Sequence, residues 1–173
     1  MRHHLLMVPA ALVAAAPAMA ESFLTVEKAQ ALLFPGATFT PADFVLSEAQ
    51  VDQIIKASGA TVFRSKVKAW KVSTGGWFFL DQVPGRDDRI TYAIGLDKGG
   101  AVVAMEVMIC ETQYCGVRSQ KWLGQFTGKA HTESDLATEI TGISGTTLSA
   151  DHITEGVKRM LATYALVVAS KTG

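Results

Sequence analysis

Apolar residues recur along this chain at two spacings, and the switch between them separates predicted helices from predicted strands. VEKAQALLF is apolar-rich and predicts a short helix, followed by PGATFTP, a loop punctuated by Pro35, Gly36 and Pro41. SEAQVDQIIKASG opens with Ser47 and Gln50 at capping-box separation, in which each side chain satisfies a backbone N–H at the helix start. Val51, Ile54 and Ile55 fall on one face of that helix, and Gly59 stops it. From Val62 to Ile109 the period drops to two. FRSKVKAWKV, GWFFLDQV, RITYAIGL and GAVVAMEVMI read as strands, with Ile90, Tyr92, Ile94 and Leu96 alternating with shorter or polar neighbours. DKGG joins the last two as a hairpin turn, which makes the sheet antiparallel. VRSQKWLGQF predicts a short helix ending in a TGK loop. In the closing helix Ile153, Val157, Met160, Leu161, Tyr164 and Val168 recur at helical spacing. The expected fold class is therefore α+β, an antiparallel sheet with flanking helices in a single domain.

Composition sharpens this picture. The chain has 173 residues, 49% of them hydrophobic, enough for one substantial core and not for two domains. Its 16 basic and 16 acidic residues balance without a block of like charge, so neither nucleic acid nor an anionic membrane surface is an expected partner. The opening MRHHLLMVPAALVAAAPAMA has a positive residue, an apolar stretch and the small-x-small signal Ala18-Met19-Ala20. Residues 1–20 are expected to be a secretory signal peptide cleaved after Ala20, with residues 21–173 as an exported, periplasmic domain. Pro9, Pro17 and the alanine-rich run argue against a retained anchor, and MLATYALVVA is too short to span a bilayer. Cys110 and Cys115, spaced C-x4-C, admit either a small-loop disulfide suited to an oxidising compartment or two buried thiols. They fit neither haem attachment nor a zinc site, and no metal is expected.

The segment richest in chemistry is GISGTTLSADHI. Gly142 and Gly145 permit tight backbone turns, and Ser144, Thr146, Thr147 and Ser149 crowd hydroxyls onto a helix start whose first amides lack intrahelical partners. Such an end suits a phosphate. The plain alternative is a turn followed by a helix capped by Ser149 or Asp151. His152, in the first turn of the same helix, is placed to approach a bound phosphate, and His131 is a second isolated imidazole; a surface histidine is the ordinary reading of each. No H-E-x-x-H, P-loop or Ser-His-Asp pattern supports a hydrolase or NTPase.

ISGTTLSADHITEGVKRML resembles the S-G-A-T segment and following helix of FMN-binding domains, such as the flavin-bearing subunits of sodium-pumping NADH:quinone reductase and Rnf-type complexes. ETQYCG resembles the family's E-T-P-G-x-G, KWLGQFTGK its aromatic stretch ending in Gly-Lys, and ITYAIGLDKGGAVVAMEVM its strand, D-x-x-G turn and strand. The resemblance runs in order from about Lys68 onward. It implies FMN joined through its phosphate to Thr147, installed outside the cytoplasm by a flavin transferase using FAD, with Ser144, Gly145, Thr146 and Ser149 around the phosphate. It also implies that the ring lies against ETQYCG and KWLGQF: Glu111 and Thr112 at its polar edge, Trp122 and Phe126 as an apolar wall, Lys129 balancing charge. On residue type alone Trp122 and Phe126 read as core, Lys129 as solvated and Glu111 as a loop carboxylate. Two positions depart from the family, Thr146 in place of Ala and Thr141 in place of an acid six residues before the acceptor, with Glu139 two residues upstream; both leave open FMN held without a covalent bond.

SGAT occurs to the letter at Ser58 to Thr61, but there it ends a helix and leads into a charged strand, and Thr147 is the acceptor the order of motifs favours. The resulting expectation is an exported FMN-binding electron-transfer protein, Thr147 serving as anchor and not as acid or base. Redox partner proteins, such as a membrane-bound haem or flavin protein, would supply and remove electrons. Two other readings share these residues: a small flavin-dependent reductase, and a binding or assembly module on the same fold without the flavin, for which the SGTT spelling is the sign.

Overall fold

The computed structural model describes residues 20–86, 88–131 and 136–171, so the predicted signal segment, apart from its last residue, lies outside the described residues. In chain order the elements are β1 (Ala20–Ser22), α1 (Val26–Leu33), β2 (Phe39–Pro41), β3 (Phe44–Val45), α2 (Glu48–Ser58), β4 (Lys66–Val72), β5 (Trp77–Pro84), β6 (Arg89–Leu96) and β7 (Val102–Glu111). A 3₁₀ segment, Thr112–Arg118, follows, then the single-turn helices α3 (Gln120–Leu123) and α4 (Leu136–Glu139) and the long helix α5 (Thr147–Thr163), which winds on as a π turn, Tyr164–Val168. The strands form one antiparallel sheet in the order β1-β7-β6-β5-β4-β2, with β3 pairing further along the same edge of β4 as β2. The class is α+β.

Two layers of helix cover the sheet. On one face α1 sets Ala29, Leu33 and the adjoining Phe34 against Val72, Phe78, Ala93 and Met108. On the other, Ile54 of α2 and Ile153, Val157 and Leu161 of α5 pack on Phe79, Val83, Ile94 and Val107. The central strand β6 is therefore buried on both faces, and its alternation has a cause. Tyr92, Ile94 and Leu96 point into the deep layer under α5, while the small Ala93 faces α1, where a larger side chain would hold the helix off. Each large apolar side chain so buried contributes about 1.5–3 kcal/mol.

The local signals behave as their chemistry requires. Ser47 accepts from the Gln50 amide at 3.3 Å and the Gln50 side chain accepts from the Ser47 amide at 2.9 Å, completing the capping box. Asp97 closes the β6–β7 hairpin, its Oδ1 accepting from Gly99 at 2.8 Å and Ala101 at 3.0 Å. Three expectations need correction. Phe39–Pro41 of the predicted loop is a short edge strand, because β4 offers it a free edge and Pro41 ends it. Ile55 is 39% exposed, lying off the stripe that carries Ile54 inward. VRSQKWLGQF is no continuous helix: a 3₁₀ segment reaches Arg118, and α3 ends at Leu123 before a second 3₁₀ turn, Gly124–Phe126.

A polar cluster lies inside the α5 interface. Arg159, 5% exposed, donates from Nη1 to the Thr61 carbonyl at 2.8 Å and from Nη2 to Asp81, to which Tyr92 also donates at 2.7 Å. Burial, then the Asp81 charge, pushes the Tyr92 phenol well above its ordinary value of 10.0. A phenol with a raised folded-state pKa contributes stability that is complete below the unfolded value and lost as pH rises toward the folded one. The protein is thus expected to lose stability above about pH 10, and Tyr92→Phe to flatten that loss while costing about 1–2 kcal/mol at neutral pH through the missing hydrogen bond. Denaturant unfolding from about pH 8 to about pH 11 checks this; parallel curves for the two proteins would refute it.

Candidate functional site

Helix α5 begins on a built turn. The Thr146 amide donates to the Ile143 carbonyl at 3.2 Å across Ser144 and Gly145, and Gly145 takes φ 84°, the left-handed backbone that the third position of a type II turn requires. Thr146 stands at the N-cap, yet its side chain makes no capping hydrogen bond. Neither Ser149 nor Asp151 caps the helix, which corrects the plain alternative: Ser149 is buried in the first turn and Asp151 is exposed beyond it. The positive end of a 17-residue helix dipole therefore opens on a row of exposed groups, Ser144, Gly145 and Thr147. The Thr147 hydroxyl makes only a long contact, 3.4 Å, to the Ile143 carbonyl.

Two distant segments meet this turn. A side chain on Gly116 would come within 3.2 Å of Thr146 Oγ1 and 3.1 Å of its methyl, so the end of ETQYCG lies flat against SGTT. The disulfide between Cys110 and Cys115, Cα to Cα 5.9 Å, ties the end of β7 to the residue before that contact. Thr146 Oγ1 itself is buried without a hydrogen-bond partner among the described residues. An orphaned hydroxyl at a helix start costs about 1–3 kcal/mol unless something supplies a partner, which a phosphate oxygen does.

KWLGQF acts from below. Trp122 Nε1 donates to the Thr141 carbonyl at 2.9 Å, and Gln125 brackets the same residue, accepting from its amide at 2.9 Å and donating to its carbonyl at 3.3 Å. These bonds hold the approach to Gly142. Gln125 was not singled out in the sequence; its signal is a polar residue between the core residues Leu123 and Phe126. Phe126 is wholly buried and meets Trp122 edge-to-face at 5.2 Å, so it belongs to the core, whereas Trp122 also lines a pocket of about 210 Å³ with Gly142 and the α5 residues Ala150, Asp151 and Thr154. Lys129 is paired with Glu139 at 2.5 Å and carries no free charge toward the turn. His152 Nδ1 donates to the Pro84 carbonyl, 2.8 Å away, so that nitrogen is engaged at the end of β5 and is not offered to a phosphate. The side chains of Glu111 and Thr112 lie outside the described residues. At Ser58–Thr61, by contrast, SGAT forms the left-handed end of α2: Gly59 has φ 68° and its amide donates to Ile55, while Thr61 gives its carbonyl to Arg159.

Among the described residues no group of three metal-ligating side chains occurs, and no helix is long and apolar enough to cross a membrane. The exposed hydroxyl, the uncapped dipole, the orphaned Thr146 oxygen and the adjoining pocket fit a phosphate-bearing group with a bulky body. The model of the FMN-binding domain matches residues 85–162, a span that includes the β6–β7 hairpin, the disulfide, the Thr141 clamp and the turn. No curated protein and no solved structure gave a match.

Proposed function

Taking residues 85–162 as a member of the FMN-binding domain family, we propose that this flavin-binding chain is an exported, periplasmic electron-transfer protein whose FMN is esterified through its phosphate to Thr147. The observation that carries the attachment is the Thr147 hydroxyl, exposed and barely engaged at the uncapped start of α5. When bound, the flavin supplies the redox chemistry, accepting and releasing electrons. The chain's own residues do the rest. The α5 amides and dipole offset the negative charge that a phosphodiester retains, and Thr146 Oγ1 gains a partner. Gly116 and the Thr141 clamp hold the turn in place, and the pocket beside Trp122 and Gly142 takes the flavin body. A covalent tether keeps the cofactor on the protein where no flavin pool replaces it.

Electrons come from and go to partner proteins, a membrane-bound haem or flavin protein among them, since no nucleotide-binding G-x-G-x-x-G is present to seat a hydride donor. Intact-mass spectrometry of protein exported from a host with a flavin transferase tests the reading. The expected product begins at Glu21, carries the mass of one esterified FMN and stays yellow after denaturation. Colourless protein of unmodified mass that also takes up no free FMN in a titration would refute it.

A further inference from the structure

Lower down α5, about 18 Å along the helix from Thr147 to Arg159, a second cavity of about 170 Å³ opens between the helix, strands β4 and β5 and the segment after α2. Much of its lining precedes residue 85, outside the segment that matches the FMN-binding domain, and the flavin site makes no use of it. Its floor is the buried cluster of Arg159 and Asp81, and its apolar walls are Leu46, Val67, Leu80 and Met160. Phe63, an aromatic ring 49% exposed, stands in the lining, with the Arg159 guanidinium 5.5 Å from its centroid.

Charge decides what this cavity suits. Arg159 is neutralised by Asp81, and Lys68 by Asp43 at 2.6 Å. Arg64 donates to the neutral side chain of Gln82. The Lys66 side chain has no hydrogen-bonded partner among the described residues, and its charge acts on the Asp43 carboxylate, which is already taken by Lys68. Of the four cations in the lining, Arg159 and Lys68 are paired, while Arg64 and Lys66, both exposed, have no carboxylate bonded to them among the described residues. An excess of cations beside apolar walls and an exposed ring is complementary to an anion with an apolar body. The volume is close to that of an apolar cavity of about 150 Å³ that takes up one benzene.

We infer that this cavity binds a small organic anion, a carboxylate carried on a single ring, with the carboxylate at Arg64 and Lys66 and the ring against Phe63 and the apolar wall. The assignment does not rest on the flavin reading. Its test is an amide-resolved NMR titration of the full protein with benzoate, repeated with benzyl alcohol and with sulfate. Benzoate is expected to give saturable shifts at Phe63, Arg64, Lys66 and Met160, and benzyl alcohol and sulfate to bind at least about tenfold more weakly, since each lacks one of the two complementary features. The double variant Arg64→Gln with Lys66→Gln, and separately Phe63→Ala, is each expected to weaken benzoate by about tenfold; the double variant leaves the thermal midpoint in place, both side chains being exposed, and Phe63→Ala, whose ring is 49% exposed and meets Arg159, keeps a cooperative unfolding transition. Benzoate without saturable shifts at these residues, equal binding by benzyl alcohol or by sulfate, or displacement of benzoate by free FMN would each overturn the assignment.

Discussion

Thr147→Val is expected to abolish covalent flavin, leaving no fluorescent band after denaturing electrophoresis, while Thr61→Val, at the end of the letter-perfect SGAT, keeps the full signal. The difference follows from where each hydroxyl sits. Thr147 opens a 17-residue helix whose N-terminal amides and positive dipole end suit a phosphate, whereas Thr61 follows the carbonyl end of α2, where the dipole is negative and repels one. Valine keeps the shape of threonine and removes the hydroxyl alone, and the 3.4 Å contact it gives up is too long to matter to the fold. The stability cost should stay within about 0.5 kcal/mol, as for most exposed positions. Titrating the Thr147→Val protein with free FMN separates anchor from pocket: retained binding assigns the pocket to the noncovalent part. A fluorescent band that survives Thr147→Val and disappears with Thr61→Val would reverse the assignment.

The second large effect lies in the fold. Arg159→Met is expected to destabilise the protein by about 2–4 kcal/mol, below the full cost of breaking a buried pair because Asp81 keeps some contact with solvent. The midpoint should fall by about 5–15 °C for a chain of this size. Burial works against the Arg159 charge, but Asp81, Tyr92 and Glu155 hold it in place above its ordinary range. Methionine fills the space and leaves the Asp81 carboxylate without its cation and the Thr61 carbonyl without its donor. Adding Asp81→Leu should restore part of the loss, since no unpaired charge then remains. Thermal unfolding of the single and double variants decides it: a midpoint unchanged in Arg159→Met, or a double variant no better than the single, would show that the ion pair is not what joins α5 to the sheet.

Much of the candidate site's backbone geometry was legible because it is local. Gly145, Thr146 and Thr147 supply in succession the turn, the cap position and the helix start, all three set by neighbours in sequence. The contact of Gly116 with Thr146 was not legible, since thirty residues separate them, and neither was the bracket of Gln125 on Thr141. Trp122 shows the limit of residue type. It is core by packing on Phe126, clamp by its indole N–H and pocket wall by its edge, and only the surrounding chain distributes those roles.

By itself the sequence determined the elements whose energy is local: the Ser47 capping box, the Gly59 stop, the Asp97 turn, the period-two strands and the apolar stripe of α5. Tertiary structure decided what faces what. It made Phe39–Pro41 a strand by presenting the edge of β4, left Ile55 in solvent, and brought Arg159 to Asp81 across 78 residues. The physical reason is that hydrogen bonds within a turn or helix are closed by adjacent residues, whereas edge pairing, burial and ion pairing exist only once distant segments have already packed together.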